Sequence, residues 1–335
     1  MPAAWPIKGV IRLQGETMTK TSRLSGETLK NLAVKYSLIL VVLLLGVILS
    51  VTTDTFLTPT NLINVLRQVS INGILAIGMT FVILTGGIDL TVGATVALAG
   101  IMTAGFLRDR GWGTWGVFFL AVAVGLVVGL INGYFVSFWK AAPFVVTLST
   151  MSIARGITYV YSDARPISPL PQDFLNIGTG SILQVPTPTV VFIIIFIIGY
   201  IILKHFSIGR YIYAVGGNEN AALVSGINVR RVLMFVYAAS GVLCGIAAVV
   251  LTSRVSAGLP TAGEGYEMDA IAATVIGGTS MSGGRGKLWG TVLGTLLIGM
   301  IANGLDLLNV SSFYQQIFKG IIILAAVLID SKRNH

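Results

Sequence analysis

Charge is scarce in this chain. Only 10% of its residues are charged, against about 25% in a soluble domain, while 54% are hydrophobic and the mean hydropathy is +0.87. That balance excludes a soluble globular protein and requires the lipid bilayer as partner. Histidine is almost missing: His205 and His335 are the only two, and neither lies inside an apolar run. An intramembrane enzyme or metal centre built on histidine has no ligands here, so no catalytic residue and no metal site is expected. The single cysteine, Cys244, sits within an apolar run, which excludes an intrachain disulfide and suggests a buried small residue. Alternating apolar and polar residues are also missing. The apolar runs are continuous, so helices are expected rather than a barrel. Residues 1–30 lack an apolar core, so no cleavable signal peptide is expected. Met18 offers an alternative translation start.

Ten apolar segments are present, roughly 36–52, 63–85, 92–107, 114–138, 144–161, 188–204, 232–251, 265–279, 288–308 and 313–329. An all-α membrane protein of about ten transmembrane helices follows, with cytoplasmic tails over 1–35 and 331–335. With the N-terminus inside, 15 basic residues fall in inner segments and 5 (Arg67, Arg108, Arg110, Arg165 and Arg254) in outer ones. Short loops rich in Lys and Arg stay cytoplasmic, so both termini are expected inside. The net charge of +9 reflects those loops and does not imply nucleic-acid binding. The longest outer loop, about 162–188, holds five of the ten prolines. It reads equally as a stiff connector or as a docking surface for an extracytoplasmic partner.

The segment GRYIYAVGGNENAALVSGINVRR, Gly209 to Arg231, carries Arg210, Arg230 and Arg231 against one acid, Glu219. It therefore belongs in the cytoplasm. After Gly209, Arg210 and Gly216, either Gly217 or Asn218 can cap a small helix, and Glu219 puts a negative charge at its positive end. Ala221, Ala222 and Leu223 propagate it, and Gly226 can end it in the left-handed conformation. Such a rod, roughly 10 Å long, is stable only when something packs on it. Ala221 and Ser225, one turn apart, form its close-approach face.

Two glycine-rich breaks interrupt the apolar runs. TGGIDLTVG, Thr85 to Gly93, reads either as a turn with Asp89 capping the next helix, or as a discontinuous helix lining a polar cavity. Gly86, Gly87, Asp89 and Thr91, with Asn72 and Thr80, are the candidate translocation path; Thr95 and Asn132 are further polar residues. GGTSMSGGRGK, Gly277 to Lys287, is not a phosphate loop. The position for the first glycine is Met281, and Leu288 stands where Ser or Thr is needed. It reads as a cytoplasmic turn, and the pairing of breaks suggests a weak internal duplication. Among ionisable residues in the spans, Arg155 is expected to snorkel outward, and Lys319 to pair with Asp306. Asp89, Glu267, Asp269 and Asp306 all read as lying near span ends, which counts against an ion-coupled secondary transporter. The leading reading is a passive pathway driven by a separate motor that touches the Gly209–Arg231 loop, with an ion-coupled secondary transporter as the distant alternative.

AIGMTFVILTGGIDLTVG (Ala76 to Gly93), the Gly209 to Val229 stretch and PTAGEGYEMDAIAATVIGGTSMSGGRGK (Pro260 to Lys287) together resemble the permease subunit of ribose-type monosaccharide ABC importers, from about residue 36 to the end. The resemblance implies a fold similar to that of the vitamin B12-type importers, in a multi-pass protein of the bacterial inner membrane. It also implies a homodimer, an ATPase subunit that binds the ATP, and a periplasmic sugar-binding protein. No cofactor is expected on this chain. Gly209–Asn228 would include the helix that engages the ATPase. Ribose is the first expectation for the cargo; sister systems take xylose, arabinose, galactose, inositol or a furanose signal molecule.

Overall fold

Runs of good helix formers bounded by Gly, Pro, Asn and Thr divide the chain into helices, in the order the apolar pattern sets. The computed structural model describes residues 26–334. The tail expected over 1–35, with the alternative start at Met18, lies almost wholly outside the described residues. The chain divides at Ser37, and the unit from Leu38 onward, which includes Leu38–Thr52 of the first helix, is the one considered below. The helices are α1 (Gly26–Thr52), α2 (Pro59–Leu84), α3 (Val92–Arg110), α4 (Thr114–Phe138), α5 (Pro143–Ser162) and α6 (Gln172–Thr179). A two-stranded antiparallel hairpin, β1 (Ser181–Ile182) and β2 (Val185–Pro186), comes next. It is followed by α7 (Thr187–His205), α8 (Ser207–Gly217), α9 (Glu219–Val224), α10 (Val229–Val255), α11 (Tyr266–Ile276), α12 (Leu288–Leu307) and α13 (Ser312–Asn334). The C-terminal stretch expected as a tail from 331 is thus helical through Asn334.

Each of the ten apolar segments falls on a helix. Six helices, α2, α3, α4, α7, α10 and α12, are long and apolar enough to cross a membrane. α5 has 20 residues but is too polar to join them. The expected segment 265–279 needs correction. α11 has 11 residues, or about 16 Å, roughly half the ~30 Å hydrocarbon core.

α10 is the centre of the fold and packs on α2, α3, α4 and α6. Its closest seam is with α4, where small residues recur every fourth position. Gly125 and Gly129 face Gly241 and Tyr237, and a Cβ on either α4 glycine would overlap an α10 carbonyl oxygen. Without a hydrophobic drive between helices in lipid, such close backbone approach supplies the van der Waals attraction that holds them. Cys244 is buried beside this seam.

The 162–188 stretch, expected as an outer loop, is folded rather than loose. Ile167 and Gly258 exchange backbone hydrogen bonds at 2.9 and 3.0 Å. Ser253 Oγ accepts from Gly178 N at 2.7 Å and donates to the Phe174 carbonyl at 2.7 Å. Phe174 is fully buried, which anchors α6 over the C-terminal end of α10.

Candidate functional site

Two stretches of non-helical chain enter the helical body from opposite sides and meet. After α2 ends, residues 85–91 turn back inward. The Asp89 carboxylate accepts from Thr91 N (3.0 Å) and Thr91 Oγ1 (2.5 Å), and its other oxygen accepts from Ser240 Oγ at 2.8 Å. Ser240 lies 11 residues into α10, about 16 Å along its axis, so α3 starts deep within the protein. From the other side, residues 256–265 run along α3, with Gly258 beside Gly100 and Ile101 and Gly263 beside Gly93. At Gly93 a Cβ would overlap the Gly263 carbonyl oxygen and come within 2.5 Å of the Glu267 carboxylate. Gly263 itself has φ +69°, a backbone that side-chain-bearing residues avoid.

Irregular backbone at this depth needs hydrogen-bond partners other than itself. Arg155 of α5 supplies them, donating from Nη1 to the carbonyls of Pro260 (2.8 Å) and Ala262 (3.0 Å). The expected snorkelling of Arg155 is therefore corrected: the guanidinium turns inward to the entering chain. The placement of the carboxylates is corrected too. Asp89 and Glu267 lie at the depth of Ser240 and Gly93 and not at span ends, because both flanking segments fold back inward. Lys319 does not pair with Asp306. Its Nζ lies 2.9 Å from Asp269 Oδ2, and Asp306 accepts instead from Gln315 Nε2 at 2.7 Å.

The candidate path residues are mostly enclosed. Asn72, Thr80, Asp89 and Thr91 are all buried. Thr80 Oγ1 bonds the Ala76 carbonyl and Thr291 Oγ1, and Asn132 Nδ2 donates to Thr91 Oγ1 at 3.1 Å. Asn132, Thr91, Asp89 and Ser240 thus form one network that ties α3, α4 and α10 together. Asp89 does not cap α3 by its side chain; the cap position is Thr91. Asp89→Ala removes the acceptor of three hydrogen bonds. Charge-assisted bonds are each worth about 1.5–3 kcal/mol, so the variant should unfold in detergent at a clearly lower temperature by intrinsic fluorescence. An unchanged midpoint would contradict the anchoring role.

The Gly209–Arg231 segment forms the expected helix with an additional one before it. A Cβ at Gly209 would overlap the carbonyls of Ile202 and Leu203, so this glycine permits the bend from α7 into α8. Arg210 donates to Ser207 Oγ at 2.9 Å. Asn218 caps α9, its Oδ1 accepting from Ala221 N at 2.9 Å. Glu219 lies in the first turn, Ala222 faces inward, and Gly226 takes φ +83° after the last turn. Ala221 is exposed, and Ser225 Oγ bonds its carbonyl. The sequence reading missed the apolar pair beside them: Leu223 and Val224 are 59% and 89% exposed.

The two glycine breaks meet directly under this helix pair. Gly284 N donates to the Leu84 carbonyl at 2.9 Å, Gly216 touches both, and Gly283 lies against Gly216 and Gly86. Tyr213 of α8 donates its hydroxyl to the Gly286 carbonyl at 3.0 Å. Burial pushes the Tyr213 phenol above its ordinary pKa, which keeps it a donor. A cavity of about 280 Å³ opens here, lined by Thr85, Gly86, Gly87, Lys140, Glu219 and Tyr237. Among the described residues no group of His, Cys, Asp and Glu could hold a metal ion.

Residues 61–327 match the family described as the permease component of the branched-chain amino acid transport system, which is most of the chain. The chain belongs to this permease family. The permease is 48% identical over 297 residues to the ribose import permease protein RbsC of Bacillus subtilis (strain 168), covering 87% of this chain and 91% of that one. Against the ribose import permease protein RbsC of Haemophilus influenzae the identity is 46%, covering 88% and 92%. Against the D-allose transport system permease protein AlsC of Escherichia coli (strain K12) it is 40%, covering 84% and 86%. No solved structure matches the permease at a significant level.

Proposed function

We propose that this chain is the membrane-spanning permease subunit of an ABC importer for a monosaccharide, with ribose as the cargo. The observation that carries this is the 48% identity over nine-tenths of a ribose import permease, with further ribose permeases at 46% and 42%. The matched family carries an amino-acid name, but these full-length relatives carry sugar names. Permeases named for xylose and L-arabinose stand lower, at 34%. An ion-coupled transporter is not favoured: Asp89 already accepts three hydrogen bonds from Thr91 and Ser240, and Asp269 is paired through Oδ2 with Lys319.

In this reading the chain is a multi-pass inner-membrane protein with both termini inside, and α11 and the 256–265 stretch share one of ten crossings. Its fold is of the vitamin B12-importer kind. It works as a homodimer beside an ATPase subunit that binds the ATP, and an extracytoplasmic binding protein delivers the sugar. Uptake of labelled ribose by the co-expressed complex, against allose, xylose and arabinose as competitors, tests it. Uptake of none of these would overturn it.

α9 is the docking helix for the ATPase. Glu219, Ala221, Leu223, Val224 and Ser225 stay exposed on it, while Ala222 holds it to the body. ATP-driven closure of the motor moves α8 and α9 together. That movement biases two arrangements of the helices by differential contact. Because Ala221 is exposed, Ala221→Trp should insert and fold as the wild type does, yet lose uptake and ATPase stimulation. Normal uptake by that variant would remove α9 from the coupling route.

A further inference from the structure

α5 presents two unlike faces at the same depth. Ile153 and Ile157 line an apolar groove with Val124 and Val127 of α4, a surface that lipid or another helix can cover. Around the helix, Ser152, Arg155, Gly156 and Tyr159 face the chain leading into α11, where Glu264 and Glu267 complete a cavity of about 510 Å³. That is within the roughly 300–1,000 Å³ of small-molecule sites. Glu264 and Ser152 are exposed, and Tyr159 Oη lies 3.5 Å from Glu264 Oε1.

Depth decides what fills this cavity. Gly263 is held against Gly93, and Ser152 lies nine residues into α5, about 14 Å along it. An exposed carboxylate beside a guanidinium at that level is too costly to face hydrocarbon. Water must reach it. The serine alone would not demand water, since its hydroxyl bonds the Leu148 carbonyl.

We propose that this cavity between α5 and the 256–265 segment is where a hydroxyl-rich solute touches the permease on its way across. The proposal rests on the sugar-importer reading above and gives it a place. Carboxylates accept from neighbouring hydroxyl pairs, the tyrosine ring covers an apolar sugar face, and Ser152 Oγ, its proton given to the Leu148 carbonyl, accepts. Arg155 is tied to the Pro260 and Ala262 carbonyls, so it sets the rim and offsets part of the acidic charge. The buried set Asn72, Thr80, Asp89 and Thr91 is then the frame behind the route and not its wall.

The buried position of Cys244, the only cysteine, makes the wild type a low background for thiol chemistry. Ser152→Cys and Ile157→Cys are treated with a charged, impermeant methanethiosulfonate in membranes holding the assembled complex. Gly156→Cys, where a side chain meets nothing within 4 Å, probes the Ser152 face a second time. The reacting form is the thiolate, which forms in water and not in hydrocarbon, so Ser152→Cys and Gly156→Cys should react at least about tenfold faster than Ile157→Cys. Their modification should cut uptake by a similar factor, and turnover with sugar should slow the labelling. Equal, slow reaction on both faces overturns the proposal, as does modification at Ser152 that leaves uptake intact. Labelling is read by intact mass without reference to cargo. A wild-type complex that takes up no sugar therefore refutes the importer reading separately, before any variant is scored.

Discussion

Gly216→Ala is expected to abolish uptake and to lower the thermal midpoint of the detergent-solubilised protein by about 2–4 °C, whereas Gly217→Ala should leave both near wild type. The two glycines are adjacent, at the end of the same helix. A Cβ at Gly216 would overlap the Leu84 carbonyl oxygen and lie 2.6 Å from Gly284 N, and a Cβ at Gly217 meets nothing within 4 Å. Those two atoms are the partners of the 2.9 Å bond that joins the glycine breaks. One added methyl group therefore forces backbone apart at the point where α8 meets the helical body. Overpacking that side chains cannot relieve costs about 1–3 kcal/mol or more. Differential scanning fluorimetry with uptake measured in parallel checks it. A Gly216→Ala protein that transports normally would show that α8 and the two breaks need not touch.

The second large effect concerns Lys319 and Asp269. Their side chains are 28% and 6% exposed, so the two members of the pair are unequal. Lys319→Met leaves a carboxylate buried without its partner. Breaking a buried pair this way costs about 3–5 kcal/mol, and the partial exposure of the lysine places this pair at the lower end. Asp269→Asn leaves a lysine that already reaches the surface, so it should cost less. The double variant should be more stable than Lys319→Met alone, because no uncompensated charge remains. Thermal midpoints of the three variants measure this order. A double variant less stable than both singles would show that the charges matter for more than each other.

What the sequence disclosed was local. Asn218, Glu219 and Gly226 define α9 within their own few residues, so its cap, first turn and stop were legible. The three long motifs likewise pointed to the permease family. Depth was not legible, because it depends on contacts between distant segments. Residues 256–265 are small and polar and read as an outer loop. Only their fit along α3 and the bonds from Arg155 carry them inward. For the same reason the apolar stretch from 265 looked like a full span, and Glu267 and Asp269 looked peripheral. Lys319 was matched to Asp306 by position along neighbouring spans, but its partner lies on a helix that starts halfway through the protein. The exposed pair Leu223 and Val224 was hidden for a simpler reason: apolar residues in a short helix ordinarily turn inward.

The shortness of α11 also bears on how the protein is made. Eleven residues are too few to partition into a bilayer unaided, and the chain just before them has backbone groups that hydrocarbon would leave unpaired. This stretch cannot be delivered to the membrane as a free-standing span by the insertion machinery. It must wait until α3 and α5, which precede it on the chain, are in place to receive it. Folding therefore includes a docking step, in which the 256–265 segment and α11 settle against helices made before them.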